Sequence, residues 1–138
     1  MRRVAATEHS ATPWFAAWLP MRDHRSLEAW KEARAITAIS IQFGRTHWKP
    51  LAAALLTQLQ RATLSVQLNI AEGYALKTPR RFANHLTIAY GSAVEVVELF
   101  RIVAEEGIVP TQLAEEGIHK GSCCQAMLLG LIKRYRGA

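Results

Sequence analysis

Apolar residues recur every three or four positions along most of this chain, the period of a helix with one buried face. The most regular run alternates steps of four and three through Phe82, Leu86, Ala89, Ala93, Val96, Phe100 and Val103. A seam sustained over this length is typical of a helix that packs nearly parallel to others in a bundle. Thr78 is a favourable N-cap and Pro79 a favourable first residue, so we predict that this helix begins there and that Gly107 ends it.

A second long amphipathic helix is predicted over residues 51–73, and Pro50 suits its first position. Gly73 is expected to end it in the left-handed conformation. Its apolar seam, which has one polar member, consists of Leu55, Leu59, Ala62, Val66 and Asn69. Beside that seam lie Gln58, Ser65 and Glu72 at heptad spacing. Polar side chains next to a buried seam need hydrogen-bond partners, so this face is the first candidate site.

Two further helices are predicted at either side of this pair. Residues 27–43 have Ser26 as a suitable N-cap and Gly44 as a suitable end. Their inner face, interrupted by Ser40, contains Leu27, Trp30, Ala33, Ile36 and Phe43. The last helix is expected to start near Thr111 and to turn inward Leu113, Cys124, Leu128, Leu131 and Tyr135.

Gly117 and Gly121 lie four residues apart in the last helix, and they allow two interpretations. They permit a close approach of another backbone, or they mark a frayed first turn. No segment reads as a strand pair. Four helices with short connections predict an all-α, up-and-down (antiparallel) four-helix bundle, a single domain over residues 26–138.

Residues 1–25 lack the helical period and contain two prolines, so we predict a flexible N-terminal arm. An alternative is that Trp14, Phe15 and Trp18 anchor the arm on the bundle or on a neighbouring subunit. Met21 directly precedes the first organised segment, so the start of the protein is open between Met1 and Met21.

Composition narrows the function classes. Half of the 138 residues are apolar, enough for a core, and the net charge of +6 favours an acidic partner. No apolar run approaches the roughly 18 residues of a membrane span, so no membrane partner is expected. Cys123 and Cys124 are adjacent, a placement that disfavours a mutual disulfide and matches no zinc motif. Free thiols without an export signal predict a cytoplasmic protein.

The first candidate site is a set of polar residues on the second and third helices. Its members are Gln58, Arg61, Ser65, Asn69, Glu72, Ser92 and Glu95. In one interpretation they form a network that fixes helix register or a subunit seam, as a buried Asn does in a coiled coil. In the other they line a shallow ligand pocket, with Glu72 and Glu95 as a carboxylate pair. A metal would need more ligands than His85, the nearest histidine, so no metal and no cofactor is predicted.

The second candidate site is basic. Lys77, Arg80 and Arg81 crowd a helix N-terminus, where the helix dipole disfavours cations. A basic rim for RNA or DNA is predicted from these three residues together with Arg61, Lys133, Arg134 and Arg136. The other interpretation is an ordinary solvated surface, and no aromatic residues of the base-stacking kind are interleaved.

Nothing in the sequence points to catalysis. Cys123 has only His119 nearby, four residues earlier on the same helix, and buried small hydrophobes are commoner than such a dyad. The stretch G-Y-A-L-K-T lacks the pattern of a phosphate-binding loop. We therefore predict no catalytic residues and no enzyme.

Two segments carry a resemblance to a known family: QLQRATLSVQLNIAEGY at 58–74 and PRRFANHLTIAYGSAVEVVEL at 79–99. With N-I-A-E-G and G-S-x-x-E at their expected separation, they resemble the four-helix-bundle proteins of the 23S rRNA intervening-sequence family. The opening L-E-x-W-K-x-A of that family is reproduced by Leu27, Glu28, Trp30, Lys31 and Ala33. The likeness covers about residues 26 to 135. Gln60 departs from it where the family usually has Arg, and the segment 51–56 lacks a common acidic residue.

The resemblance implies a four-helix bundle, a ring of five subunits and no catalytic activity. Some members are encoded inside rRNA genes, and a related bundle assists a reverse transcriptase, where a basic pentamer contacts nucleic acid. We therefore expect a non-enzymatic homo-oligomeric scaffold, a pentamer, that associates with RNA or DNA. The alternative is a protein–protein assembly module with no nucleic-acid role.

Overall fold

Four long helices make up nearly all of residues 24–137, the part of the chain that the computed structural model describes. They are α1 (Glu28–Thr46), α2 (Ala53–Ala75), α3 (Pro79–Glu105) and α4 (Thr111–Arg136). Short 3-10 turns precede α1 and lead into α2, at His24–Ser26 and Pro50–Ala52. The predicted arm lies outside the described residues apart from its last two positions. So do Trp14, Phe15 and Trp18 with their predicted anchoring role.

Each helix packs against the next in the chain, and α4 returns to α1, which confirms the up-and-down bundle. The α3 helix packs extensively on both α2 and α4, whereas α1 and α4 meet more loosely. Because consecutive helices alternate in direction, one end of the bundle holds the α2–α3 loop, the start of α1 and the end of α4. Within residues 24–137 no helix is both long enough and apolar enough to cross a bilayer.

The predicted seam of α3 is confirmed, because all seven of its members are buried. Phe100 packs edge-to-face on Phe43, with ring centroids 5.7 Å apart, and Phe82 packs in the same way on Tyr135 at 4.9 Å. Aromatic pairs in this geometry add stabilisation beyond the area they bury. The α3 helix is therefore the centre of the core, and its aromatic side chains contact both α1 and α4.

The buried face of α2 is broader than the predicted seam. It also contains Leu56, Thr63 and Ile70, whereas Leu55 and Asn69 are only partly buried at its edges. Thr63 faces Ser40 of α1, and their hydroxyl oxygens lie 2.9 Å apart. Ser40 donates to the Thr37 carbonyl at 2.7 Å, so the polar interruption of the inner face of α1 is satisfied inside the core.

Three predicted boundaries are wrong. Ser26 belongs to the 3-10 turn, and Leu27 occupies the N-cap position of α1 without a side-chain cap. Gly44 lies inside α1, which continues to Thr46. Gly73 lies inside α2, and the left-handed residue is Lys77, with φ of 57°.

Gly73 is needed for a close approach rather than for a turn. A Cβ at this position would lie 2.6 Å from the Cβ of His85 and 3.2 Å from the ring of Phe82. Only glycine therefore lets the end of α2 approach the start of α3 this closely. Lys77, two residues past the helix, turns its ammonium over the ring of Tyr74, 4.0 Å from the centroid.

The predicted boundaries of α3 and the predicted start of α4 are confirmed, whereas Pro50 begins the 3-10 turn and α2 itself starts at Ala53. Thr78 caps α3, and its Oγ1 accepts a hydrogen bond from the backbone N–H of Arg81 at 3.3 Å. Pro79 is the first residue of α3, Gly107 follows its end with φ of 68°, and Thr111 begins α4. These ends depend on cap chemistry that is local in sequence.

In α4 the glycines mark a close helix approach, the first of the two interpretations. A Cβ at Gly117 would lie 2.6 Å from three ring atoms of Phe100, and one at Gly121 would lie 2.8 Å from Val97. The inward placement is confirmed for Cys124, Leu128 and Tyr135, which are buried, and Leu131 is partly buried. It is wrong for Leu113, which is 43 % exposed because α1 and α4 diverge at that end.

Candidate functional site: a polar seam and a basic end

A line of polar side chains runs between α2 and α3, and we call Ser65, Asn69, Glu72, His85 and Ser92 the polar seam. The hydroxyl oxygens of Ser65 and Ser92 lie 2.7 Å apart. Asn69 Nδ2 donates to the carbonyl of Ser65 at 2.9 Å and to its Oγ at 3.3 Å. The Ser65–Ser92 contact joins the two helices through small half-buried groups, and it helps to fix their register.

His85 continues the polar seam. Its Nδ1 lies 3.0 Å from Asn69 Oδ1, and since an amide oxygen only accepts, Nδ1 carries the hydrogen. Glu72 Oε2 lies 3.9 Å from the same nitrogen. The sequence alone suggests His85 only as a possible metal ligand. Its position seven residues before Ser92 puts it on the same face of α3, and that spacing was the available signal.

Gln58 and Glu95 form a separate pair. The amide nitrogen of Gln58 donates to both carboxylate oxygens of Glu95, at 3.4 and 3.3 Å. Gln58 and Glu72 are fourteen residues apart, roughly 21 Å along the axis of α2. The structure therefore does not bring the two predicted carboxylates, Glu72 and Glu95, together. Arg61 lies exposed on α2 and joins neither group among the described residues.

Six of the predicted cations meet at one end of the bundle. Lys77 lies in the α2–α3 loop, Arg80 and Arg81 in the first turn of α3, and the others in the last turn of α4. The six, which we call the basic end, are Lys77, Arg80, Arg81, Lys133, Arg134 and Arg136, all exposed. The antiparallel order places the end of α4 beside the start of α3, where Arg136 Nη2 donates to Thr87 Oγ1 at 3.4 Å.

The seventh predicted cation is elsewhere. Arg61 precedes the last residue of α2 by fourteen positions, so it lies roughly 21 Å along the helix from the basic end. Arg80, Arg81 and Lys133 form no ion pair within residues 24–137, so their charges are available to a partner. Tyr74 and Tyr135 at this end are buried, so neither ring is exposed to stack on a base, and the six cations offer contact through charge.

The two cysteines occupy different environments. Burial raises the pKa of the Cys124 thiol to about 12, and the negative charges of Glu32 and Cys123 add to the shift. The protonated thiol donates to the carbonyl of Ala29, with sulfur and oxygen 3.7 Å apart. Cys123 is partly exposed, and its sulfur lies 3.8 Å from His119 Nε2. Within residues 24–137 no three His, Cys, Asp or Glu side chains are grouped to hold a metal ion.

The chain matches the model of a known protein family. The family model described as 23S rRNA-intervening sequence protein matches residues 25–130, a span that contains the polar seam and the α2–α3 part of the basic end. No curated protein matched the chain.

Proposed function

The chain belongs to the 23S rRNA-intervening sequence protein family, and from this premise we propose a non-enzymatic bundle that assembles with its own copies and contacts nucleic-acid phosphates. The observation that carries the proposal is the basic end. Its six cations come from two segments more than fifty residues apart, and the antiparallel fold gathers them on one surface. We place this assembly in the cytoplasm, where free thiols such as Cys123 persist.

Repetition supports the nucleic-acid part of the proposal. Each cation that neutralises a phosphate releases a counterion, so affinity depends on how many contacts form at once. One subunit offers few contacts. We propose that the assembly is a ring of five, as the family resemblance implies. Such a ring presents five basic ends, and linked contacts bind far more tightly than separate ones.

The surface of the polar seam supports the assembly part of the proposal. Leu68 and Ile88, beside the polar seam, are 52 % and 54 % exposed, while all members of the seam except Glu72 are half-buried. Packing a second copy there removes these apolar side chains from water and completes the burial of the network. The hydrogen bonds of the polar seam then favour one alignment of the two subunits over other alignments that bury a similar apolar area.

We expect Asn69→Leu to broaden the distribution of oligomers while leaving the bundle folded. The substitution removes the contacts to Ser65 and His85 but adds apolar surface, as when a buried Asn is replaced in a coiled coil. Size-exclusion chromatography with light scattering measures the distribution. Asn84→Leu, an exposed change on α3 outside the network, is the matched control. A single species of unchanged mass for Asn69→Leu would contradict this prediction.

The nucleic-acid proposal is tested by the salt dependence of binding to short DNA and RNA duplexes. For B-DNA, each phosphate contact contributes about −0.9 to the slope of log affinity against log salt. Replacing Lys77, Arg80 and Arg81 with Ala should therefore flatten the slope by up to about 2.7, without altering the oligomer. The control replaces Arg34, Arg45 and Lys49, which are equally exposed but lie on α1 and in the α1–α2 connection.

Absence of binding to either duplex at low salt would reject the nucleic-acid role. The protein–protein assembly module then becomes the better account.

One observation favours that second candidate: Leu51 is 98 % exposed at the other end of the bundle, beside a groove of about 550 Å³ lined by Leu55, Ile102 and Ile108. A partner protein would bury this surface.

A further inference from the structure

The loosest junction of the bundle, between α1 and α4, carries two apolar grooves of about 370 Å³ each. The groove nearer the start of α1, which we call the α1–α4 groove, has Leu27, Ala29, Met127 and Leu131 in its wall. Glu28 and Arg134 stand at its rim. A concave apolar surface with one charge of each sign is suited to an apolar segment flanked by both charges.

Two further residues of this junction, Gly130 and Glu32, are not accounted for by the packing and hydrogen bonds within residues 24–137. Gly130 lines the α1–α4 groove, and a Cβ built there meets no atom within 4 Å. Glycine in an exposed helix interior is less favourable than Ala, and the packing of the bundle does not require it here. Farther along α1, Glu32 Oε2 is buried and accepts no hydrogen bond. A buried acceptor of this kind is stabilised by an N–H donor.

The chain itself contains a segment with the required chemistry. W-F-A-A-W-L at 14–19 is a run of six apolar residues, which is costly to leave in water. Its two indole N–H groups are donors only. Arg22 and Asp23 follow it and match the opposite charges at the groove rim. Four residues separate Leu19 from His24, so the chain between them spans five Cα steps, a reach of roughly 17 Å, and Leu27 of the groove is three residues farther on.

We propose that residues 14–19 of the same chain occupy the α1–α4 groove, with an indole N–H donating to Glu32 and the rings filling the notch at Gly130. This placement closes the loosest junction of the bundle with large aromatic side chains. It also explains why residue 130 is a glycine, because any side chain at this position would occupy the space that the aromatic rings need. The proposal is independent of the nucleic-acid role, since the groove lies outside the basic end apart from Arg134.

The test measures chymotrypsin cleavage after Trp14, Phe15 and Trp18 under native conditions. Gly130→Leu blocks the groove from an open position and does not strain the helix. We expect cleavage in the arm to become about tenfold faster in this variant, corresponding to about 1.4 kcal/mol of lost docking free energy. Gly91→Leu is the matched control, because Gly91 is also an exposed helical glycine whose Cβ would meet no atom within 4 Å.

A second readout uses Trp14 and Trp18 as the sole tryptophans, in a Trp30→Phe/Trp48→Phe background. We expect blue-shifted emission and iodide quenching several-fold weaker than in a peptide of residues 11–23, with both differences lost in Gly130→Leu. Quenching equal to that of the peptide would overturn the proposal. So would equal cleavage in Gly130→Leu and Gly91→Leu. Protection that disappears on dilution would overturn docking within one chain and assign the arm to a neighbouring copy.

Discussion

Replacing Phe100 with alanine is expected to destabilise the bundle by about 3–5 kcal/mol, the usual cost of truncating a buried aromatic side chain. Phe100 is 0 % exposed, and its ring meets Phe43 of α1 and the backbone of α4 at Gly117. Alanine leaves a cavity bounded by three helices, and rigid helices relax into such a space only partly. Denaturant unfolding followed by circular dichroism measures the change.

Val94→Ala is the matched control for this prediction. Val94 lies on the same helix but is 45 % exposed, so its truncation should change the free energy of unfolding by about 0.5 kcal/mol or less. A cost below about 1 kcal/mol for Phe100→Ala would show that the seam of α3 is not the centre of the core.

The helices that the sequence predicts best are those whose signals are local. The seam from Phe82 to Val103 repeats often enough to define one face, and Thr78 with Pro79 defines the start through backbone chemistry within one turn. The antiparallel order follows in turn, because connections of a few residues leave consecutive helices no other arrangement. Fold class therefore needed no knowledge of which side chains touch.

The errors fall where the reason for a residue is a contact distant in sequence. In the sequence, a glycine that ends a helix cannot be distinguished from a glycine that lets a neighbouring helix pack closely. Gly107 ends one, with a positive φ, whereas Gly73 admits His85 and Phe82 of the next helix. Lys77 takes the left-handed conformation instead, and its ammonium lies over Tyr74, a contact that spacing alone does not reveal.

The candidate sites, too, could be predicted only where their geometry follows from local sequence. The antiparallel order is enough to gather the six cations of the basic end, but not to place Arg61, whose distance depends on how far α2 extends. The contacts within α2, such as that of Asn69 with Ser65, follow from a spacing of four. The pairing of Asn69 with His85 depends on the register of α3 against α2, which is set by the whole core.

Gly117→Ala is expected to destabilise the bundle by about 1–3 kcal/mol, although alanine is the better helix former. The added methyl would lie 2.6 Å from the tip of the Phe100 ring, and that ring is held by Phe43 on its other side. The two helices must therefore separate or the ring must leave its rotamer. Gly91→Ala, with open space at its Cβ, should instead stabilise by up to about 1 kcal/mol.

The sign of the coupling between these two sites separates steric conflict from a general defect in α4. If the ring tip is the obstacle, Gly117→Ala should cost little in the Phe100→Ala background, because the methyl then enters the space that the ring has left. The two changes together should be less destabilising than their sum by about 1–3 kcal/mol, within the range of coupling measured for residues in contact. Additive costs would mean that Gly117 is required for some reason other than the approach of Phe100. Because Gly117 and Phe100 lie on different helices, a coupling of this size would also establish in solution the tight α3–α4 packing that aligns the end of α4 with the start of α3.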